Sequence, residues 1–494
     1  MHSSFKLLDS YFNTDFSKQL AVYNNENRLE QNSKKNVLYL FHQAAERIVA
    51  YKHFLKKNKI KHRKIKSLKD YARVPTTSKE NYIQKYDVNL RCWDSDMSQI
   101  HMISTSSGTT GDPHFWPRTL KHEIDGAYLH EFLLNEVFKA DQVSTLFING
   151  FAMGNWIAGT FTLACVNLLA WKGYPLTIMT PGYDLEAVLE LLEKVSEKFK
   201  QTIIAGHTPF LKELIDEGTK RHLDWEKLNC KFLGTGQGIT EKWRSYILSL
   251  VKAKDYCRTF LNLYGSADAS LMGFETPLSI DLRKLIIDNN LYQQLFNDQR
   301  IPSLYNYDPR LTFFEVEGKE LLITKDSGCP LLRYNIHDEG GIINCTQLLR
   351  QIKILSQSDK ISEQQLKLPF VYLYGRSKFM VKIYGANIYS EHVQLAIDDK
   401  SLQPDLTGRF ILESDYDNEH NPRLICRIEL ASGVKSHPLR ADLIKRVFIS
   451  EVAKVNKEYQ YVLTNMGKKV EPIIILHSHG DIKYFPIGIV KKTV

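Results

Sequence analysis

Residues 104–113 read S-T-S-S-G-T-T-G-D-P, a set of side chains suited to holding a small anion. The hydroxyls of Ser106, Ser107, Thr109 and Thr110 surround Gly108 and Gly111. Where Cβ atoms are missing, backbone N–H groups and side-chain O–H groups can converge on a phosphate. The stretch is not a Walker loop, which places Lys after its second Gly, because Gly111 is followed by Asp112 and Pro113. Taken alone, it reads equally well as a flexible Ser/Gly/Thr linker.

Three other stretches carry chemistry-capable residues directly after apolar runs. They are Gly206-His207-Thr208-Pro209, Gly234-Thr235-Gly236-Gln237 and Tyr264-Gly265-Ser266-Ala267-Asp268. Each could be no more than a tight turn. His207 invites a general-base role, but a histidine satisfied in a pocket wall is the plainer reading.

The elements that must position these residues follow from the apolar pattern. Strands are expected at 145–148, 176–179, 203–205, 230–233 and 260–263, separated by helical patterns at 185–199 and 210–215. Strands alternating with helices imply parallel pairing in a sheet covered on both faces. In such sheets ligands bind at the carboxyl ends of the strands, which is where all three turns fall. The N-terminal part, to about Arg91, is helical in character. A hairpin turn is expected at 316–320, and a further α+β region around 410–413, 424–430 and 439–455.

With these residues in place, the pattern [ST]-S-G-T-T-G-x-P resembles the phosphate loop of the adenylate-forming superfamily, and most nearly its phenylacetate-CoA ligase and CapK-like branch. His114 stands where many members have Lys. The lead-in I-K-S-L-K-D-Y-A-R-V-P-T-T-S-K, residues 65–79, is similar to the run before that loop in phenylacetate-CoA ligases. The resemblance implies that Tyr264 lies along adenine, that Gly265 and Ser266 approach the nucleotide, and that Gly236 and Gln237 form an adenine-contacting turn. It implies that Asp268 stands where a Glu helps hold Mg²⁺, one methylene shorter. P-L-L-R-Y-N-I-H-D, residues 330–338, resembles the motif whose Asp takes the ribose hydroxyls, here Asp338; the alternative is a surface Asp before a Gly-Gly turn. Y-G-R-S-K resembles the hinge after which a small domain rotates between two poses, with Arg376 facing ribose or phosphate and Lys378 as pivot. Catalytic roles fall to Thr109 and to a C-terminal lysine, Lys491, with Lys483 and Lys492 as alternates.

Length and composition bound these expectations. A chain of 494 residues exceeds one typical core, so two or three domains are expected. Its 43% apolar and 24% charged residues are those of an ordinary globular protein. Much of the net charge of +9 lies in 52–69, a run that reads as a solvated helix face or as a patch for nucleic acid or an anionic membrane. Seven dispersed cysteines, without a C-x-x-C pair, suggest neither zinc nor a disulfide framework. The first residues lack a secretory pattern, so cytoplasmic residence is expected. Residues 142–171 contain no charge, yet their glycines and asparagines favour a strand, a turn and a buried helix over a membrane span.

The expectation is therefore an α/β protein. A large adenylation domain over 1–375, with its helical lead-in over 1–91, has parallel-rich sheets flanked by helices, and a small mobile α+β domain follows over 376–494. The implied function is AMP-forming ligation of a small carboxylic acid, with ATP, Mg²⁺ and coenzyme A. An amine, hydroxyl or protein thiol is the alternative acceptor, and a non-catalytic nucleotide-binding homologue the alternative function. No nucleic acid and no stable membrane insertion are expected, and a homodimer is compatible with the sequence.

Overall fold

The structure is a computed structural model describing residues 2–105, 114–356, 366–376, 380–384, 386–416 and 422–486. A short hairpin, β1 (Met102–Thr105) and β2 (Phe115–Arg118), flanks residues 106–113. The strands β3 (Thr145–Asn149), β4 (Leu176–Met179), β5 (Gln201–His207), β6 (Cys230–Thr235) and β7 (Phe260–Ser266) then pair in parallel. The expected parallel pairing holds for these five and stops there. The sheet continues antiparallel through β8 (Ser270–Phe274), β9 (Ser303–Asn306), β10 (Thr312–Glu317), β11 (Glu320–Lys325), β12 (Leu331–Ile343) and β13 (Phe370–Arg376). Its eleven strands run β10-β11-β12-β13-β9-β8-β7-β6-β5-β3-β4.

The alternation of side chains explains why the parallel half is apolar on both faces. In β3, Leu146 and Ile148 enter one buried cluster while Phe147 enters the other. The helices Leu185–Lys194, Thr208–Lys220 and Glu241–Leu250 close the first face, and Leu120–Glu131 with Ile157–Trp171 close the second. A sheet covered on both sides permits a continuous apolar run in each strand. Residues 142–171 accordingly resolve into β3, a turn and a buried helix. Among the described residues no helix is long and apolar enough to cross a membrane.

The N-terminal helices are part of this core. Tyr11, Tyr23 and Leu29 pack with Phe132 and Phe274, whereas Phe41, Tyr51 and Phe54 pack with Tyr264, Phe314 and Tyr334. The helix Val49–Lys57 turns Tyr51, Phe54 and Leu55 inward and Lys52, Lys56 and Lys57 outward, so much of the basic run is the solvated face of a core helix.

Beyond β13 the chain forms a hairpin, β14 (Met380–Ile383) with β15 (Ala386–Tyr389), and a three-stranded sheet. That sheet comprises β16 (Leu406–Tyr416), β17 (Pro422–Leu430) and β18 (Ile473–His477), with β17 and β18 parallel. The helices Ser390–Ile397, Pro438–Val455 and Lys457–Met466 accompany it. The buried cluster of this α+β region draws all its residues from Val381 onward.

Candidate functional site

The carboxyl ends of β5, β6 and β7 lie side by side, because His207 is the register partner of Thr235, and Thr235 of Leu263. The three sequence turns therefore converge. The Thr235 hydroxyl donates to the Leu263 carbonyl at 2.9 Å, tying β6 to β7 just before both turns. Gly236 follows with φ +97°, a left-handed conformation that disfavours a side chain, and a Cβ there would lie 2.8 Å from His207 Nδ1. His207 also meets the Phe151 ring edge-on at 5.5 Å. Asn262 Nδ2 donates to the Gln237 carbonyl at 2.9 Å and to Tyr305 Oη at 3.1 Å, which holds the turn after β6 against β9.

Tyr264 is the side chain on which the site is built. Its ring stacks between Tyr305 at 5.7 Å and Phe314 at 6.2 Å, and its hydroxyl donates to Asp338 Oδ2 at 2.8 Å. Asp338 is 9% exposed and sits within β12, opposite Arg376 of β13. It is therefore no surface residue before a turn. Gly340 and Gly341 continue the strand, because a side chain at either would collide with Tyr372 of β13.

Asp268, 7% exposed, follows β7 and accepts from the Tyr334 hydroxyl at 2.6 Å, while Lys79 Nζ lies 3.4 Å from the same oxygen. Lys79 gets there because Thr77 forms a parallel bridge to Tyr334, with Thr77 N–H donating to the Arg333 carbonyl and Asn335 N–H donating to that of Thr77. The lead-in thus adds a short strand to β12 and delivers a cation to the site. For a resident Mg²⁺ the fit is poor. Oδ2 of Asp268 is already committed to Tyr334 and Lys79, and no group of three or more His, Cys, Asp or Glu able to hold a metal occurs among the described residues.

Behind β8 the charges are buried. Lys325 Nζ donates to the Leu271 carbonyl at 2.5 Å, and burial pulls its ammonium down to about 8. His122 pairs with the Ser270 hydroxyl at 2.9 Å, and burial, aided by nearby Lys325 and Arg118, holds its imidazole neutral.

The residues 106–113 lie outside the described residues, and with them Ser106, Ser107, Gly108, Thr109, Thr110 and Gly111. Their flanks are placed: Thr105 and Phe115 are register partners, and Thr105 N–H donates to the Asn155 carbonyl at 2.9 Å in the turn after β3. Lys378 and Lys491 also lie outside the described residues, and of Arg376 only the backbone is described, at the end of β13. Gly265 and Ser266 close β7, where a Cβ on Gly265 would lie 2.9 Å from the Ser270 carbonyl oxygen and the Ser266 hydroxyl accepts from Ala269 N–H at 3.1 Å. Phe147 of β3 and, after it, Phe151 and Phe161 belong to the buried core. Sequence reasoning quoted Lys79 within a motif but gave it no role, since its contact depends on a bridge spanning most of the chain.

No protein-family profile and no curated protein sequence matches the chain. Solved structures do. The 2-hydroxyisobutyryl-CoA ligase in its postadenylation state in complex with 2-HIB-AMP aligns over 94% of this chain and 87% of its own, with TM-score 0.65 and 12% identity. The same ligase with 2-HIB-AMP and CoA in the thioesterification state aligns over 95% and 89%, with TM-score 0.53 and 13% identity. An acyl acid amido synthetase in complex with 2,4-DB aligns over 94% and 89%, with TM-score 0.60 and 13% identity. The chain has the fold of these ligases.

Proposed function

We propose that the protein is an ATP-dependent, AMP-forming carboxylate ligase of the adenylate-forming superfamily, nearest its phenylacetate-CoA ligase and CapK-like branch, dividing at Arg376 into a large adenylation domain and a small C-terminal domain. The observation that carries this reading is the hydrogen bond from Tyr264 to Asp338 at the carboxyl end of the parallel strands. It places a buried carboxylate acceptor, suited to ribose hydroxyls and held by a tyrosine hydroxyl, at the place where α/β sheets bind ligands. The 2-hydroxyisobutyryl-CoA ligase of this fold is solved with 2-HIB-AMP, and the acyl acid amido synthetase is named for amide formation, a second outcome within one reaction class.

In the first step an oxygen of the substrate carboxylate attacks the α-phosphorus of ATP, forming an O–P bond as the bond to pyrophosphate breaks. The acid is ionised at neutral pH, so no general base is required. Asp338 accepts from the ribose hydroxyls while the Tyr264 hydroxyl keeps its carboxylate in place. Gly236, Gln237 and Gly265 present backbone to adenine, and Ser266 and Arg376 bound the nucleotide. The hydroxyls and amides of 106–111, Thr109 foremost, stabilise the pyrophosphate as it leaves, and Lys491 bridges acid and phosphate. In the second step the acceptor attacks the acyl carbon and AMP departs. The thiol of coenzyme A is the preferred acceptor and an amine the alternative. The setting is cytoplasmic.

One observation favours a second reading, a nucleotide-binding protein without turnover. Lys79 occupies the carboxylate of Asp268 that a metal-assisted reaction would use. Pyrophosphate release from Mg-ATP, measured across aryl, fatty and amino acids with and without coenzyme A, separates the two. Acid-dependent release abolished by Asp338→Ala and Lys491→Ala establishes ligation. Tight ATP binding with no release for any acid establishes the second reading.

A further inference from the structure

A buried guanidinium bridges the seam between β13 and the residues beyond it. Arg300 is 5% exposed and lies between two rings, with Tyr374 of β13 at 4.3 Å and Tyr389 of β15 at 4.2 Å. Its Nη2 meets Asp298 at 2.9 Å and Glu339 at 2.7 Å. Glu339 follows Asp338 on β12, and the two are register partners of Gly375 and Arg376. Successive residues of a strand face opposite sides of a sheet, so Asp338 serves the nucleotide side while Glu339 serves the seam. Gly375 has φ +115°, and a Cβ there would collide with the Glu391 carboxylate of the helix Ser390–Ile397. The two parts of the chain therefore approach closely at the strand that ends in the hinge motif.

Close approach is not the same as solid packing. A cavity of 270 Å³ opens beside Arg300, lined by Gln293, Asp298, Lys319, Tyr389 and His392 among others. The ring–guanidinium–ring stack bridges this edge of the seam. A planar cation between two aromatic faces is attracted by both, and lysine cannot copy that geometry.

We propose that Arg300 is a positioning residue: it couples the β12 carboxylate pair Asp338–Glu339 to the docked pose of the small C-terminal region, the pose in which the first half-reaction takes place. The inference rests on the ligase reading above. Loss of the stack would release the small region, slowing adenylation while leaving acyl transfer, which follows its rotation, unimpaired.

The test uses the full chain with Arg300→Ala, Arg300→Lys, Tyr389→Ala and the double alanine variant. Three quantities are measured: ATP–pyrophosphate exchange, transfer from preformed acyl-adenylate, and carbodiimide cross-linking of Lys242 to Glu451. Those two side chains form an ion pair across another edge of the seam at 2.8 Å, so their cross-link reports the pose without requiring activity. Tyr389→Ala should lower exchange about tenfold, Arg300→Ala at least as much, and the double variant no more than Arg300→Ala alone, because that substitution already removes the contact to Tyr389. Transfer should be unchanged and the cross-link yield should fall. Arg300→Lys should restore thermal stability, through its ion pairs, but not exchange. Equal losses in exchange and transfer, additive losses in the double variant, or an unchanged cross-link would overturn the proposal. If the wild type shows no exchange with any acid, the ligase reading fails, and the cross-link alone then decides whether Arg300 holds the pose.

Discussion

Asp398 offers a quantitative test of the seam. It follows the helix Ser390–Ile397, is 1% exposed, and accepts from the Thr240 hydroxyl at 2.5 Å and from Gln394 Nε2 at 2.8 Å. Burial raises its carboxyl from 3.8 to about 6, and the two hydrogen bonds with nearby Lys242 and Lys212 only partly oppose that rise. Because the folded value lies above the unfolded one, the native state binds the proton more tightly. The stability this group supplies is full below pH 3.8 and is lost as pH rises through about 6. A gap of about 2 pH units corresponds to about 3 kcal/mol. Asp398→Asn removes the ionisation but keeps an acceptor for Thr240, and Gln394 can turn its amide to pair with the new one. The variant should match the wild type at pH 4 and exceed it by up to about 3 kcal/mol at pH 8. Urea unfolding of both proteins at pH 4, 6 and 8 measures this. A difference that stays constant across that range, or a variant less stable at pH 8, would refute the assignment of the cost to a buried charge in the seam.

Three further outcomes are expected. Arg244 is fully buried between Glu241 at 2.9 Å and Glu275 at 2.6 Å, so Arg244→Met leaves Glu275 without its cation and should cost about 3–5 kcal/mol in denaturant unfolding. Gly236→Ala forces a side chain into left-handed backbone beside His207. It should cost about 2 kcal/mol and weaken nucleotide binding in calorimetry. Tyr264→Phe keeps the stack on Tyr305 and Phe314 but removes the donor to Asp338. It should cost about 1–3 kcal/mol in urea unfolding, because a buried carboxylate loses a donor, and ATP affinity should fall about tenfold.

The strands and the turns that end them were legible in the sequence because each depends on neighbours within a few positions. Apolar runs at 145–148, 203–205 and 230–233 placed β3, β5 and β6, and the uncharged 142–171 resolved as a strand, a turn and a helix. The strand-end motifs Gly234–Gln237 and Tyr264–Asp268 fell at one end of the sheet, because consecutive parallel strands all point the same way. The hairpin expected at 316–320 joins β10 to β11, but the other antiparallel pairings from β8 onward were not legible, since a short strand reads the same in either direction.

What only the tertiary structure decided are contacts between residues far apart in the chain. Cys92 and Cys329, unremarkable as dispersed cysteines, bring their sulfurs to 3.3 Å. Lys79 reaches Asp268 through the bridge from Thr77 to Tyr334, and Asp338 proves buried because its Gly-Gly sequel continues a strand pressed against Tyr372. Arg300 carries no local mark in the sequence, and its two rings come from 74 and 89 positions later. Residue type and local period set which element forms and which side chains can do chemistry. Which of those side chains meet is settled by strand order and domain docking, whose energies are sums over the whole chain and leave no local mark.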